Sequence, residues 1–429
     1  MKTSLTIKPI AYVQGKIDLP GSKSISNRAL LISAISNGKT SLINLLDSHD
    51  TQFMLLALKN LGVHYILEKK NSICHIYGNG IDFKNNKKSS IFLGNAGTAI
   101  RSLVAVLSLV NNDFVITGDE RMQERPIGDL VDCLKQGGAK IKYIQKKEGF
   151  PPVQTKGGFV GGKISIRGNI SSQYLSALLI ASPLAINDTT ITVKKKLVSI
   201  PYIKMTLNII QHFGIKIKHE NYKTFYIKGQ QTYRSPGTYY IESDLSSATY
   251  FLAAAAIKGK NIVLNNIYRN SIQGDIRFIN VLQKMGAIIF WGENFVKCSK
   301  GKLCGIDMDM NDIPDAAMTI AMVALFANGT TTIRNIYNWR VKETDRLHAM
   351  STELRKIGAI VIEGEDYISI TPPKKFITSS INTYNDHRIA MCFSLISLSE
   401  TSVNIIDPEC VSKTFPNYFS VFNKISFYN

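Results

Sequence analysis

The chain has 429 residues, 45% of them hydrophobic, which is too long for one compact core and too apolar for a wholly disordered protein. Its 51 lysines and arginines against 32 aspartates and glutamates give a formal net charge of +19. That charge favours an anionic partner: nucleic acid, an acidic membrane surface, or small phosphorylated or carboxylated molecules. We find no secretory signal and no apolar stretch of membrane-spanning length, so the sequence predicts a cytoplasmic protein without membrane partners. The six cysteines show no metal-ligand spacing, which predicts free thiols and no metal site.

A helix-like segment that ends in glycine recurs along the chain. The glycines are Gly62, Gly138, Gly214, Gly286 and Gly358, at steps of 76, 76, 72 and 72 residues. Each stands where the C-terminus of a helix favours positive φ, and a β-rich run follows each of them. The regular steps predict repeated structural units.

A second kind of helix, apolar and rich in small side chains, precedes a Thr/Val/Ile-rich strand in every unit. In chain order these predicted helices cover 24–35, 98–109, 171–181, 246–257, 315–326 and 387–398. Alanine, serine and leucine on all sides of a helix indicate that it is buried within a layer. The sequence therefore predicts six units of about 72 residues, each with two helices and several strands.

Units of this size cannot bury their apolar faces alone, so six of them predict an α/β (α+β) protein with two similar domains of three units each. The pattern breaks at Ser235, Pro236 and Gly237, which places the first domain at 21–240. Residues 1–20, which include a strand-like segment at 10–14, could complete the truncated sixth unit. The second domain is therefore expected to combine 1–20 with 241–429.

The N-terminal ends of the apolar helices carry most of the distinctive polar residues. These are Lys23, Ser24 and Arg28, Asn95, Gly97 and Arg101, Ser171, Ser172 and Gln173, Asp315, and Asp386, His387 and Arg388. Free N–H groups and the positive end of the helix dipole suit phosphate or carboxylate oxygens there. Ordinary N-capping explains a serine or aspartate at any one helix, but it does not explain the neighbouring cations.

Turns before the other helices add further cations, namely Arg125, Lys342, Arg346 and Lys413. Equivalent turns are expected at one end of each domain, so two such ends would form an interdomain cleft that attracts a multiply charged ligand. Two carboxylates, Asp315 and Glu343, stand among the cations, as proton transfer beside an anionic substrate requires. Either could instead be a salt-bridge partner, and Asp315 could be an N-cap.

Five segments closely resemble the 5-enolpyruvylshikimate-3-phosphate (EPSP) synthase family, the 3-phosphoshikimate 1-carboxyvinyltransferases. They are LPGSKSISNR at 19–28, LGNAGTAIR at 93–101, RMQERPI at 121–127, YNWRVKETDR at 337–346 and YNDHR at 384–388. The resemblance extends over essentially the whole chain. It implies two domains of three βαβαββ-type units each, with the active site in the interdomain cleft, which agrees with the repeat count.

The resemblance also implies the reaction: the enolpyruvyl group of phosphoenolpyruvate passes to the 5-hydroxyl of 3-phosphoshikimate, and phosphate is released. This is a step in the biosynthesis of chorismate and the aromatic amino acids. The implied enzyme is a monomer with no metal or organic cofactor and no nucleic-acid partner.

Individual roles follow from the same resemblance, position by position. The residues that it implies bind 3-phosphoshikimate are Lys23, Ser24, Arg28, Ser171, Ser172, Ser199, Tyr202, Asp315, Asn338 and Lys342. The residues that it implies bind phosphoenolpyruvate are Lys23, Asn95, Gly97, Arg125, Gln173, Arg346, Arg388 and Lys413. Asp315 is the implied base for the 5-hydroxyl proton, Glu343 the implied acid for the methylene carbon of phosphoenolpyruvate, and Lys23 a catalytic residue that reaches both ligands.

Two alternatives differ in what they require. The related UDP-N-acetylglucosamine enolpyruvyl transferases carry a cysteine in the loop that corresponds to 118–125, and this chain has none there. A nucleic-acid-binding protein would use the charge of +19 for binding that weakens steeply with salt, but the lysine runs lack interleaved aromatic residues. The enzyme, by contrast, requires phosphate release only when both substrates are present.

One departure from the family pattern concerns inhibition. Many members have proline where this chain has Ser102, and the sequence predicts that this position lies in the first turn of the helix that begins near Gly97. Loss of a stiffening proline there predicts lower sensitivity to glyphosate, the phosphoenolpyruvate-competitive inhibitor of the family.

Overall fold

The structure is a computed structural model, and it describes residues 3–83 and 89–428. The chain divides into two compact units. The first, here called the continuous unit, is Gly21–Ile241; the second, the composite unit, joins the residues up to Pro20 to those from Glu242 onward. Within the described ranges, no helix is both long and apolar enough to cross a membrane.

The N-terminal strands β1 (Ser4–Ile7) and β2 (Tyr12–Ile17) belong to the composite unit. The helices of the continuous unit are α1 (Lys23–Ala34), α2 (His49–Asn60), α3 (Gly97–Leu107), α4 (Gly128–Gln136), α5 (Ser172–Ala181) and α6 (Ile200–His212). Its strands are β3 (Ser36–Ile43), β4 (His64–Glu68), β5 (Ile73–Asn79), β6 (Ser89–Phe92), β7 (Phe114–Thr117), β8 (Ile141–Tyr143), β9 (Val153–Thr155), β10 (Gly162–Arg167), β11 (Thr189–Lys194), β12 (Lys218–Glu220), β13 (Thr224–Ile227), β14 (Tyr233–Arg234) and β15 (Thr238–Tyr240).

The composite unit continues with helices α7 (Leu245–Lys258), α8 (Arg277–Met285), α9 (Pro314–Ala324), α10 (Arg346–Lys356), α11 (His387–Phe393) and α12 (Tyr418–Lys424). Its further strands are β16 (Gly259–Asn265), β17 (Ile288–Trp291), β18 (Phe295–Ser299), β19 (Asp307–Asp309), β20 (Thr331–Arg334), β21 (Ile360–Glu363), β22 (Ile368–Thr371), β23 (Ser379–Asn382), β24 (Val403–Ile406) and β25 (Ser426–Phe427).

One pairing pattern recurs in the sheets of both units. In β6–β7–β9–β8 the first two strands are parallel, and the remaining pairs are antiparallel. The sheets β10–β11–β13–β12 and β19–β20–β22–β21 repeat this pattern, as do β2–β16–β18–β17, with β25 beside β2, and β3–β5–β4, with β14 and β15 parallel to β3. A parallel pair needs a crossover connection, and α3, α5, α9 and α11 supply it in their sheets. The predicted repetition of one α/β unit is thus visible as repeated strand topology.

The N-terminal strands enter two different sheets of the composite unit. β1 pairs antiparallel with β24, so it completes the β23–β24 sheet of the last repeat. The strand expected at 10–14 is β2, and it pairs with β16 instead. Within residues 1–20 it is thus β1, and not the strand-like segment at 10–14, that joins the sheet of the sixth unit.

The apolar helices are buried, as their composition predicts. In α7 every residue from Leu245 to Ile257 is buried, and α7 packs on α9, which in turn contacts α11. In the continuous unit α3 packs on α1 and α5 in the same way. Four predicted ends were too long. Helix α1 ends at Ala34, α3 at Leu107 and α9 at Ala324, and α11 ends at Phe393 before a 3-10 turn over Ser394–Leu398.

The five repeat glycines have the predicted backbone conformation. Their φ angles are 84° at Gly62, 94° at Gly138, 88° at Gly214, 107° at Gly286 and 95° at Gly358. Each follows the last turn of a helix, where a side chain would strain the backbone. The spacing of these glycines therefore reflects where the helices must end.

Gly286 is the repeat glycine at which we expect a side chain to be most harmful. A Cβ there would lie 2.1 Å from the carbonyl oxygen of Lys302, whereas at Gly329, with a φ of 87°, a Cβ would meet nothing within 4 Å. Backbone strain of about 1–2 kcal/mol applies to both positions, but only Gly286→Ala adds a clash with main chain. Trp291 and Trp339, the two tryptophans of the chain, both lie in the composite unit. Urea unfolding followed by tryptophan fluorescence should therefore show a clearly larger decrease in the free energy of unfolding for Gly286→Ala than for Gly329→Ala. Equal decreases for the two variants would contradict the close packing of Gly286 against Lys302.

The structure corrects our reasoning about Ser102. Because α3 begins at Gly97, Ser102 is its sixth residue and lies in the second turn, where it is buried. A proline at this position would remove a helix N–H and press on the carbonyl of Thr98, rather than stiffen the first turn. Lower glyphosate sensitivity remains a prediction from the resemblance, and Ser102→Pro is expected to lower the glyphosate inhibition constant by displacing the Gly97–Thr98 end. Identical glyphosate inhibition constants for the unchanged protein and its Ser102→Pro variant would contradict this prediction.

Candidate functional site

Arg28 is a buried cation of the continuous unit that several hydrogen bonds hold in place. It is buried on α1, and its Nε donates to Thr206 Oγ1 on α6 at 2.8 Å. Its Nη1 donates to the Ser24 carbonyl at 2.9 Å, and its Nη2 reaches Ser176 Oγ on α5 at 3.4 Å. Burial lowers the pKa of the guanidinium to about 10, which leaves it charged at neutral pH. Three helices therefore fix one buried positive charge.

The other residues of the continuous unit that are expected at 3-phosphoshikimate lie on α1 and at the starts of α5 and α6. Lys23 is the first residue of α1, and its Nζ lies 3.5 Å from Oδ2 of buried Asp50. Ser171 caps α5 by accepting from the N–H of Gln173 at 3.2 Å, so the capping interpretation holds there, and Ser172 is the first residue of that helix. Ser199, with a φ of 54°, precedes α6, and Tyr202 is in its first turn.

The residues expected at phosphoenolpyruvate in this unit form a second group. Arg125 Nη1 donates to Asn95 Oδ1 at 2.7 Å and to the Asn95 carbonyl at 3.1 Å. Arg101 Nη1 donates to Gln173 Oε1 at 2.6 Å, which turns the amide N–H₂ of Gln173 away from Arg101. A Cβ on Gly97 would lie 2.5 Å from Arg101 Nη1 and 2.7 Å from Arg125 Nη2. Glycine at 97 thus lets two guanidinium groups approach the start of α3.

In the composite unit, three cations converge on one carboxylate. Asp315, the second residue of α9, accepts from Arg346 Nη1 at 2.8 Å and from Arg388 Nη2 at 3.0 Å, and Lys342 Nζ lies 3.4 Å away. Burial alone would raise the pKa of Asp315, but Arg388, Lys342 and Arg346 outweigh it and hold that pKa well below the usual value. Asp315 is a salt-bridge partner and not an N-cap, because Ile313 occupies the N-cap position.

Arg346 links three carboxylates. Besides Asp315, its Nη2 donates to Glu343 Oε2 at 2.8 Å, and its Nε donates to Asp386 Oδ2 at 2.7 Å. Arg346 and Asp386 are almost fully buried, with side-chain exposures of 1% and 0%. Burial lowers the pKa of Arg346, but Asp386, Glu343 and Asp315 raise it further, so the net pKa is above the usual value. The two predicted proton-transfer residues, Asp315 and Glu343, therefore share one guanidinium.

The remaining expected residues of this unit lie on short turns. Asn338 is buried on the 3-10 turn Tyr337–Val341, directly before Lys342 and Glu343. Trp339 on the same turn donates from Nε1 to the Pro314 carbonyl at 2.6 Å, so the turn is tied to the start of α9. Lys413 is buried at the end of another 3-10 turn, Pro408–Lys413. Burial also lowers the pKa of Lys342, although Asp315 opposes this shift.

Sequence reasoning missed the residues that hold these groups. Thr206, Ser176 and Asp50 support the cations of the continuous unit, and Asp386 and Trp339 support Arg346 and the 3-10 turn. Asp386 and Trp339 gave a signal, since both lie in quoted motifs, whereas Thr206, Ser176 and Asp50 gave none. Among the residues that the structure describes, no group of three or more His, Cys, Asp or Glu could hold a metal ion.

Comparisons with known proteins agree on one family. The profile described as EPSP synthase (3-phosphoshikimate 1-carboxyvinyltransferase) matches residues 7–422. The chain is 62% identical over 426 residues to the 3-phosphoshikimate 1-carboxyvinyltransferase of Buchnera aphidicola subsp. Acyrthosiphon pisum, covering 99% of this chain and 100% of that protein. It is 59% identical over 423 residues to the Escherichia coli enzyme of the same name, with 99% of each chain covered. Among solved structures, EPSP synthase from Acinetobacter baumannii matches with a TM-score of 0.82 at 28% identity, covering 99% of this chain and 98% of that one.

Proposed function

Since this chain belongs to the EPSP synthase family, we propose that the residue groups described above perform the family reaction in it. The chain is a 3-phosphoshikimate 1-carboxyvinyltransferase of the shikimate pathway, which transfers the enolpyruvyl group of phosphoenolpyruvate to the 5-hydroxyl of 3-phosphoshikimate. The observation that carries the residue assignment is that Asp315 and Glu343 bind the same guanidinium, each at 2.8 Å.

The continuous unit supplies the binding groups for 3-phosphoshikimate. A guanidinium has five N–H donors, and Arg28 uses three of its donor nitrogens on Thr206, Ser24 and Ser176. Its remaining N–H groups, with the hydroxyls of Ser24, Ser171, Ser172, Ser199 and Tyr202, are the proposed phosphate and hydroxyl ligands. Asn338 and Lys342 complete the proposed set from the composite unit. Because Arg28 is fixed before the ligand arrives, binding costs little side-chain entropy.

Cations at phosphoenolpyruvate come from both units in this proposal. The proposed ligands are Asn95, Gly97, Arg125 and Gln173 from the continuous unit and Arg346, Arg388 and Lys413 from the composite unit, and Lys23 is proposed to contact both substrates. Two anionic substrates repel each other, and this set of cations offsets the repulsion and holds the reacting atoms at attack distance. We propose that the predicted domains, 21–240 and 1–20 with 241–429, close over the substrates and form the cleft in which they react.

Asp315 is the proposed base. In the free enzyme three cations hold its carboxylate in the ionised form, which makes it a weak base. Substrate phosphate and carboxylate groups attract the same Arg346, Arg388 and Lys342. As those cations turn to the substrates, their hold on Asp315 weakens and its basicity rises where the 5-hydroxyl has to lose its proton.

Glu343 is the proposed acid. Its proton goes to the methylene carbon of phosphoenolpyruvate, which makes the adjacent carbon electrophilic, while the 5-hydroxyl oxygen bonds to that carbon and its proton goes to Asp315. In the second half, one proton of the new methyl group returns to Glu343, the bond between carbon and the phosphate oxygen breaks, and phosphate leaves with the proton that Asp315 had accepted. The same groups carry protons in both halves, so no external acid or base is consumed.

Exchange of hydrogen for deuterium tests the role of Glu343. In D₂O, reversible addition should place deuterium in the methylene group of phosphoenolpyruvate, but only when 3-phosphoshikimate is present. Glu343→Gln should abolish this exchange, and Glu363→Gln, which changes a glutamate elsewhere in the unit that pairs with Arg340, should not. Mass spectrometry of recovered phosphoenolpyruvate would contradict the proposal if Glu343→Gln kept the exchange rate of the unchanged enzyme.

We further propose that the enzyme is a cytoplasmic monomer that acts on small molecules without a metal or organic cofactor, as its family resemblance implies. The loop at 118–125 lacks the cysteine of the UDP-N-acetylglucosamine enzymes, which supports 3-phosphoshikimate as acceptor. The charge of +19 is consistent with two anionic substrates, and nucleic acid is not part of this proposal.

A further inference from the structure

Glu353 on α10 is a buried carboxylate that the reaction above does not use. Its side chain has 0% exposure. It accepts from Lys356 Nζ at 2.7 and 2.8 Å, from the backbone N–H of Asn382 at 3.2 Å and from the Tyr384 hydroxyl at 2.7 Å. A buried carboxylate is costly unless it is paired and hydrogen-bonded, so these contacts define its position.

The segment that Glu353 holds has an unusual backbone. Asp386 N donates to the Thr383 carbonyl at 2.8 Å, which closes a turn, and the two central residues, Tyr384 and Asn385, have φ angles of 53° and 54°. Positive φ at both central positions is the pattern of a type I′ turn, which favours glycine, asparagine or aspartate and disfavours tyrosine. The hydrogen bond from the Tyr384 hydroxyl to Glu353 offsets the backbone strain of a tyrosine at this position. Burial and the nearby carboxylate raise the pKa of this hydroxyl above its usual value, so it stays protonated and donates.

The turn leads directly into the proposed phosphoenolpyruvate site. Asp386, its last residue, binds Arg346 and caps α11 by accepting from the N–H of Arg388 at 2.9 Å. Arg388 then reaches Asp315. A shift of the turn would therefore move both guanidinium groups that are expected to bind phosphoenolpyruvate.

Helix α10 binds the segment 382–386 at two points. Arg346, its first residue, binds Asp386 at one end of the turn, and Glu353, seven residues later, binds Asn382 and Tyr384 at the other. Seven residues are about two helical turns, so both side chains project from one face of α10. One rigid helix thus spans the whole turn.

We propose that Glu353 and Tyr384 are positioning residues that hold the turn at 383–386 so that Arg346 and Arg388 stand ready for phosphoenolpyruvate. The inference depends on the proposed function, because it takes those two arginines to be phosphoenolpyruvate ligands. Neither Glu353 nor Tyr384 contacts the substrate in this account. Because the two arginines that they position are assigned to phosphoenolpyruvate, and most of the proposed 3-phosphoshikimate ligands lie in the continuous unit, the affinity for 3-phosphoshikimate should change much less than the affinity for phosphoenolpyruvate.

Steady-state kinetics of Tyr384→Phe tests the proposal. The variant keeps the ring and removes only the hydroxyl, and we expect the KM for phosphoenolpyruvate to rise roughly tenfold, the effect of one lost hydrogen bond to a charged group. The KM for 3-phosphoshikimate should change less than about twofold. The matched control is Tyr226→Phe, which also removes a tyrosine–glutamate hydrogen bond, to Glu220 at 3.0 Å, but on an exposed strand of the continuous unit. It should change neither KM.

A second variant separates positioning from mere stability. Asparagine suits a left-handed turn position, so Tyr384→Asn should relieve backbone strain and leave the unfolding midpoint nearly unchanged while it still raises the KM for phosphoenolpyruvate. An unchanged KM for phosphoenolpyruvate in both Tyr384 variants, or an equal rise in the KM values for both substrates, would overturn the proposal.

Arg388→Lys, measured in parallel, shows whether a negative result concerns the assigned site or only the positioning role. If it leaves the KM for phosphoenolpyruvate unchanged, the assigned site is wrong; if only the Tyr384 variants are silent, the positioning role alone is wrong.

Discussion

Asp315→Asn should lower turnover by about 10²–10⁴-fold, the usual contribution of a general base. Asparagine keeps the size of the side chain and can still accept hydrogen bonds, but it cannot take up the proton of the 5-hydroxyl. The same change removes the carboxylate that binds Arg346, Arg388 and Lys342 in the free enzyme. Affinity for phosphoenolpyruvate should therefore stay equal or increase, because the substrate no longer competes with Asp315 for those cations.

Phosphate-release kinetics and calorimetric binding of phosphoenolpyruvate in the presence of 3-phosphoshikimate measure the two effects. Asp307→Asn is the matched control, since Asp307 pairs with Arg334 at 2.6 Å on an exposed strand of the same unit. Turnover within about threefold of the unchanged enzyme, or a parallel loss of affinity, would contradict the role of Asp315. The low pKa of Asp315 also fixes the sign of a pH effect. The stabilisation from its ion pairs is present above the unfolded-state pKa of about 4, and it is lost as the pH falls through the lower folded-state value.

Arg346→Leu should destabilise the composite unit by about 3–5 kcal/mol, because it removes one partner from a buried ionic network. The change leaves Asp386, Glu343 and Asp315 without the guanidinium that they share. Urea unfolding followed by tryptophan fluorescence reports on this unit, since both tryptophans lie in it.

The control for Arg346→Leu is Arg334→Leu, which breaks an exposed arginine–aspartate pair in the same unit. Exposed pairs contribute at most about 1 kcal/mol, so the control should shift the unfolding free energy far less. Comparable decreases in unfolding free energy for the two variants would show that the network at Arg346 is not a buried ionic centre. Catalysis by any folded fraction of Arg346→Leu should also require much higher phosphoenolpyruvate concentrations.

The repeated architecture could be predicted from the sequence because its causes are local. A helix that ends with positive φ needs glycine, so Gly62 and the four glycines after it marked the helix ends. A helix buried on all sides needs small apolar residues, and α7 showed this in its composition. Strand pairing over long separations has no such local signal. For that reason the sequence suggested that residues 1–20 complete the sixth unit, but it could not show that β1 pairs with β24, about 400 residues away, while β2 pairs with β16.

The cations of the site were predictable for a similar reason, since helix starts and basic turns are visible in a sequence. Their supports were not. Thr206 is an ordinary threonine in the interior of α6, and nothing local indicates that it accepts from Arg28 on another helix. The interaction of Asp315 with three cations also depends on how α9, α10 and α11 pack. Sequence reasoning therefore finds the charges of the proposed site and misses most of the groups that fix those charges.

The most direct test of the account is phosphate release with each substrate alone and with both together, for the unchanged enzyme, Asp315→Asn and Glu343→Gln. We predict release only when phosphoenolpyruvate and 3-phosphoshikimate are both present, with both variants reduced by about 100-fold or more and Asp307→Asn at the rate of the unchanged enzyme. Full turnover in both variants would contradict the assignment of proton transfer to the pair that shares Arg346.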